Sequence, residues 1–187
     1  LGYGELGFQG CTEIPTPHID SIAKNGTRFT DGYVTCSMCH PSRAGMMTGR
    51  HQVRFGIEGN PPIKERNYCV PASEPMLAEC LKQLGYTTGL IGKWHLGPTH
   101  ELTPLRRGFD EFYGIHHGGH SFLPTSKQRT KGPLMRGDQE ITEETYLTTA
   151  LGREAVTFVD RHHRTPFFLC LSFTAVHKPL EATEADL

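Results

Sequence analysis

The densest run of chemically capable residues is Cys36-Ser37-Met38-Cys39-His40-Pro41-Ser42-Arg43, closed by Thr48-Gly49-Arg50. Pro41 suits the start of a helix, where its missing N–H is no loss, so Cys39 is expected just before the first turn. Free backbone N–H groups and the positive end of the helix dipole point there. They favour a nearby anion and lower a thiol pKa. Arg43, one turn further in, can fold back toward Cys39 and offer charge-assisted hydrogen bonds. The pattern therefore predicts a reactive side chain beside a small oxyanion pocket. A Cys-x-x-Cys pair also serves as a redox dithiol or as half of a zinc site. Here no second Cys-x-x-Cys accompanies it, and no thioredoxin-like frame surrounds it. Two structural cysteines remain the plain reading of the pair taken alone.

Three further residues could act on an anion: Lys93, His95 and His177. Taken singly, the lysine reads as a solvated surface residue and each histidine as a half-buried, satisfied side chain. Their positions change that. Residues 87–91 read as a short buried strand, with Gly92-Lys93-Trp94-His95 at its end. Residues 167–176 form a nearly continuous apolar run after Pro166, the pattern of a strand buried on both faces of a parallel sheet, with His177-Lys178 at its end. Ligands of open α/β sheets sit beyond the carboxyl ends of the strands. His116, His117 and His120 form a second histidine group. They are expected on a polar surface excursion spanning residues 114–140, rich in Gly, Pro, Ser, Lys and Arg. Trp94 is expected to pack, and His162 and His163 to face a helix C-terminus.

The elements that must position these groups alternate. Thr16 reads as an N-cap with Pro17 as first helical residue, Ile19, Ile22 and Ala23 on one face, and Asn25-Gly26 as the stop. Residues 28–34 alternate loosely, as a short strand does. Pro41 opens a second helix ending at Thr48-Gly49. Ser73 caps a third, with Met76, Leu77, Cys80, Leu81 and Leu84 as its apolar stripe and Gly85 as its end. Thr142 caps the longest helix, with Glu143 and Glu144 in its first turn and Leu147, Ala150, Leu151, Ala155, Phe158 and Val159 facing inward. Helix, strand, helix, strand predicts an α/β fold, a mostly parallel sheet sandwiched by helices.

Composition excludes several classes. The 187 residues are 36% apolar and carry 21 glycines and 13 prolines, which is loop-rich without signalling disorder. With 19 basic and 20 acidic residues, no broad cationic field exists to hold nucleic acid or an anionic membrane, and neither is expected as a partner. No apolar run is long enough to span a bilayer. Six widely spread cysteines are too few for a disulfide scaffold, and no internal repeat is present.

The motifs also carry a family resemblance. Cys39-x-Pro41-Ser42-Arg43 with Thr48-Gly49-Arg50 resembles the sulfatase signature C-x-P-S-R-x(4)-T-G-R. Gly85-Tyr86-Thr87-Thr88-Gly89-Leu90-Ile91-Gly92-Lys93-Trp94-His95-Leu96-Gly97 resembles the second signature, G-Y-x-T-x-x-x-G-K-W-H-L-G. Gly108-Phe109-Asp110-Glu111-Phe112-Tyr113-Gly114 and the stretch from Pro166-Phe167-Phe168-Leu169 to His177-x-Pro179-Leu180 are similar to further landmarks, in the same order. The resemblance covers nearly the whole chain and points to the arylsulfatase A or N-acetylgalactosamine-6-sulfatase-like branch of the alkaline-phosphatase-like superfamily.

That resemblance implies sulfuric ester hydrolysis, of an aryl or carbohydrate sulfate. It implies that Cys39 is converted by a formylglycine-generating enzyme to Cα-formylglycine, whose hydrate is the nucleophile. One hydroxyl of the diol attacks sulfur, and the other then expels sulfate, a route a plain Ser or Cys lacks. Arg43 would hold the diol, Lys93 would bind a sulfate oxygen, His95 would take a proton during elimination, and His177 would contact the ester and protonate the leaving oxygen. Calcium is the family's metal, with Cys39 as one ligand and the others outside this chain. Leu1-Gly2-Tyr3-Gly4 resembles the stretch just after the family's first strand. Residues 1–187 are therefore expected to be a partial N-terminal catalytic domain, alkaline-phosphatase-like and truncated at both ends. The resemblance also suggests a periplasmic, secreted or lysosomal setting. A phosphonate monoester or phosphodiester hydrolase of the same superfamily, and a non-catalytic sulfatase-like binding protein, are the alternatives.

Overall fold

A computed structural model describes residues 2–61, 69–126 and 132–187, which form two compact units, Leu1–Tyr33 and Val34–Leu187. Leu1 of the opening motif lies outside the described residues. In the first unit, helix α1 (Pro17–Asn25) begins at Thr16 as the sequence predicts. The Thr16 hydroxyl receives the Gly7 N–H at 2.8 Å and donates to Asp20 Oδ1 at 2.9 Å. Asp20 also accepts the Phe8 N–H at 3.0 Å, so one carboxylate joins the preceding turn to the helix. The expected apolar stripe does not enter a core. Ile22 is 73% exposed, and with Ile19, Tyr3, Leu6 and Phe29 it lines a groove of about 400 Å³. Residues 28–34 are not a strand. They have no ladder among the described residues to satisfy a strand's backbone, and Phe29, Tyr33 and Val34 are exposed.

The second unit is built on one five-stranded sheet. Its elements are α2 (Cys39–Thr48), α3 (Leu77–Gln83), β1 (Thr87–Lys93), β2 (Glu111–Ile115), β3 (Leu134–Arg136), β4 (Gln139–Ile141), α4 (Leu147–His162) and β5 (Phe167–Ser172). The strand order is β4-β3-β2-β1-β5. β1 runs parallel to both β2 and β5, while β3 and β4 form an antiparallel extension. The pleat sends alternate residues to opposite faces. Leu90 and Phe112 meet Ala44, Met47, Met76 and Ala78 from α2 and the start of α3. Ile91, Tyr113 and Ile115 meet Leu147, Ala150, Leu151, Ala155 and Phe158 from α4. The fold is thus the expected mostly parallel α/β sheet with helices on both faces. No helix among the described residues is long and apolar enough to cross a membrane.

Several local expectations need correction. α2 starts at Cys39, two residues before Pro41, because no N–H in a first turn needs an intrahelical acceptor and proline is tolerated throughout it. α3 starts after Met76, not Ser73. Glu79 fixes that start by reaching back to accept the Met76 N–H at 2.7 Å. Met76 and Ala78 are buried, but Leu77 and Leu84 are exposed, as is Cys80. A helix of two turns presents only one narrow face to the sheet. α4 starts after Tyr146, not at Thr142, because Glu143 is used elsewhere. It accepts the Tyr113 hydroxyl at 2.7 Å and pairs with Arg153 at 2.7 Å. Burial works to raise the Glu143 carboxyl, but hydrogen bonds from Thr145, Tyr113 and Arg153 prevail and hold it at about 2. Val159 is partly exposed. β5 ends at Ser172 and is half-buried rather than covered on both faces, standing last in the sheet among the described residues.

Residues 114–140 are likewise no simple surface excursion. They contain β3 and β4, and Gly118, Gly119, Ser121 and Phe122 are buried. Residues 127–131 of that stretch lie outside the described residues.

Candidate active site

The carboxyl ends of β1, β2 and β5 come unusually close together. Gly92 has φ 112° and Gly114 has φ 156°. A Cβ at Gly92 would overlap the Ser172 carbonyl, and one at Gly114 would overlap the Gly92 carbonyl. Only glycine permits that approach. The pairing continues past the strands: the Trp94 N–H donates to the Ile115 carbonyl at 2.9 Å and the His95 N–H to the His116 carbonyl at 3.1 Å. His95 is the one non-glycine residue with positive φ, 60°, among the described residues. Trp94 packs as expected, buried against Phe109 with its indole N–H on the Leu102 carbonyl at 2.9 Å.

α2 delivers its residues to the same edge. Arg43 does not fold back on Cys39 but crosses to the strand tips. Its Nη1 donates to the Lys93 carbonyl at 2.8 Å and to the Ser172 hydroxyl at 2.7 Å. Burial lowers the Arg43 pKa, and the sulfurs of Cys170 and Cys39 lie near enough to oppose that shift. Cys39, half-buried in the first turn, donates its thiol to Asn60 Oδ1 at 3.3 Å, and the same oxygen accepts the His40 N–H at 3.0 Å. The Asn60 amide thus occupies the open helix mouth. His40 is 1% exposed. It donates from Nδ1 to the His95 carbonyl at 2.7 Å, with the two rings edge to face at 5.7 Å. Burial holds the His40 pKa down, partly offset by that hydrogen bond.

The loop after β2 gathers the remaining groups. Lys93, 4% exposed, donates its ammonium to the Gly118 carbonyl at 2.6 Å. A Cβ on Gly118 would stand 2.8 Å from Cε1 and Nε2 of His95, so the imidazole lies flush against the loop backbone. The neighbouring Gly119 is 3.6 Å, by the same measure, from the His177 ring. His177 itself is exposed; its N–H donates to the Thr174 carbonyl at 2.9 Å and its Nδ1 to the Lys178 carbonyl at 2.7 Å. Arg43, Lys93 and His95 therefore meet at the strand tips beside Cys39, and His177 approaches through Gly119. Sequence reading passed over Asn60 and Ser172, and it quoted His40, Gly92 and Gly114 within motifs without giving them a role, since their contacts are made across long sequence separations.

The second histidine group is packed rather than loose. His116 stacks on Phe112 at 5.0 Å, with burial and then His117 lowering its pKa. His117 fills the space a Cβ on Gly132 would need. His120 donates from Nδ1 to the Ser121 carbonyl at 2.7 Å. At the far end of α4, His163 donates to the Asp160 carbonyl at 2.9 Å, whereas His162 faces Glu111 at 2.7 Å. Among the described residues no group of three or more His, Cys, Asp or Glu is placed to hold a metal. Calcium requires six to eight oxygen ligands, so the described residues do not fit a calcium site.

A family model described as Sulfatase matches residues 1–186. N-acetylgalactosamine-6-sulfatase of Homo sapiens is 33% identical over 212 residues, covering 100% of this chain and 40% of that protein. Arylsulfatase A of Homo sapiens is 44% identical over 117 residues, covering 62% of this chain and 23% of that protein. The crystal structure of Ps i-CgsB in complex with k-i-k-neocarrahexaose superposes with a TM-score of 0.93 at 40% identity, covering 100% of this chain and 45% of that one. The chain thus spans less than half the length of these relatives.

Proposed function

This chain belongs to the sulfatase family, and on that premise we propose that residues 1–187 form part of the N-terminal catalytic domain of a sulfuric ester hydrolase. The observation that carries this reading is the meeting of Arg43, Lys93 and His95 at the tips of parallel strands, beside Cys39 at a helix mouth. Converted to formylglycine by its maturation enzyme, Cys39 would supply a geminal diol, one hydroxyl to attack sulfur and one to release sulfate. Arg43, already fixed by Lys93 and Ser172, holds a cation against that side chain. Lys93 is a compact charge suited to a sulfate oxygen, and it exchanges the Gly118 carbonyl for the ester. His95, its ring against Gly118, takes a proton during product release. His177, exposed at the rim, gives one to the leaving oxygen. No step here runs through calcium, which the family implies in general.

A sulfated carbohydrate is the proposed substrate class. The support is that one relative is named for a sulfated amino sugar and one similar structure holds a neocarrahexaose. The test is turnover by the full-length protein, co-expressed with a formylglycine-generating enzyme. Its substrates are an aryl sulfate, a sulfated oligosaccharide and an aryl phosphodiester. Cleavage of a sulfate ester is expected. Cleavage of the phosphodiester alone would move the protein to phosphoester chemistry. An unmodified Cys39 thiol with no turnover would leave a binding protein.

A further inference from the structure

The loop that carries Gly118 and Gly119 is held from outside by a residue the reaction does not use. Glu181 lies four positions beyond His177. Its carboxylate accepts the Phe122 N–H at 2.7 Å, the Leu123 N–H at 3.3 Å and the Ser126 hydroxyl. Its carbonyl receives the Tyr146 hydroxyl at 3.1 Å, and the Tyr146 ring packs on Phe122 at 6.0 Å. The Phe122 carbonyl in turn accepts the Leu147 N–H at 2.8 Å. One short segment therefore carries both His177 and the anchor for the loop that His177 touches. We propose that Glu181 is a positioning residue: it fixes the loop of residues 118–123, and through that loop the places of Lys93, His95 and His177.

Two backbone N–H groups and a hydroxyl converging on one carboxylate are charge-assisted bonds, about twice as strong as neutral ones. Burial works to raise the Glu181 pKa, but the bonds from Ser126, Phe122 and Leu123 and the nearby His120 outweigh it. The group is therefore an anion at neutral pH. Without it, three donors on a part-buried turn lose their acceptor together. On the side of the loop facing residues 174–181, this carboxylate and the His177 ring against Gly119 are the contacts that hold it. The Gly118 carbonyl, which orients the Lys93 ammonium, would then drift.

The inference deepens the proposed function, and its test separates the two. In the full-length protein, Glu181→Ala is expected to lower kcat/KM for a sulfate ester by about tenfold or more and to raise the inhibition constant of inorganic sulfate severalfold. Glu181→Gln, which keeps one acceptor oxygen, should recover most of both. A variant that merely unfolds in part would lose kcat in proportion to the inactive fraction, with the inhibition constant unmoved; that result overturns the proposal. Amide exchange over residues 118–123 reads the anchoring without any assay of activity. Faster exchange in Glu181→Ala supports it, and wild-type exchange rates overturn it, whether or not a sulfate ester is cleaved. Should Glu181→Ala fail to fold, Ser126→Ala decides by the same two readouts, each expected to move less. A wild-type protein that cleaves no sulfate ester would instead refute the functional reading alone.

Discussion

Lys93 points its ammonium at the Gly118 carbonyl in a buried setting. Such an ammonium is stable only while an acceptor is in reach, and a tetrahedral oxyanion is a better acceptor than Gly118. Lys93→Met should therefore raise KM for a sulfate ester about tenfold or more, with a smaller change in kcat, since an ion contact to the anionic group is present before and during reaction. Steady-state kinetics on the full-length protein check this, and an unchanged KM would remove Lys93 from substrate binding. His40 makes a separate prediction about pH. Burial lowers its pKa from the ordinary 6.5, and His116 moves the same way. The unfolded chain then binds more protons than the folded one as pH falls below about 6.5. Stability from these neutral imidazoles is thus full above that value and is lost toward lower pH. Thermal melts should show Tm dropping between about pH 7 and about pH 5. His40→Asn should lower Tm at the upper end and flatten that drop.

Strand packing has a sharper requirement than any single contact at the site. Because Gly114 and Gly92 touch neighbouring main chain, a methyl group there cannot be absorbed by a side chain turning aside. Gly114→Ala is expected to cost about 3 kcal/mol or more and to disturb the tip of β1 that bears Lys93. Gly152, inside α4 with open space where a Cβ would stand, is the opposite case. Alanine there should gain about 0.5–1 kcal/mol from helix propensity. Urea unfolding of the two variants measures both. Equal effects would mean that the strand ends are looser than the backbone contacts imply. The same element scale explains which boundaries were legible. α1 began where Thr16-Pro17 announced it and α3 ended near Gly85, because caps and glycine stops act locally. The start of α4 was not legible: Glu143 was drawn 30 residues away, to Tyr113, and no neighbour in sequence records that choice.

For the molecule as a whole, the alternation of helices and strands was enough to foresee a mostly parallel sheet with two covered faces, and residues at strand tips were enough to nominate Lys93, His95 and His177. Depth was harder to read. The histidine loop looked polar, yet Lys93 and Glu181 draw it inward from 25 and about 60 positions away. The run after Pro166 looked like a strand buried on both faces, yet β5 is only half-buried and stands last in the order among the described residues. Its apolar composition reports what could cover it, not what does. That placement matters at the bench. Among the described residues β5 pairs on one side only, and its Leu171 and the following Phe173 are 40% and 41% exposed. Such a border is a template for any second copy that meets it. Residues 1–187 produced by themselves should sediment as growing assemblies when concentrated, and a charged substitution at Leu171 should keep them dispersed.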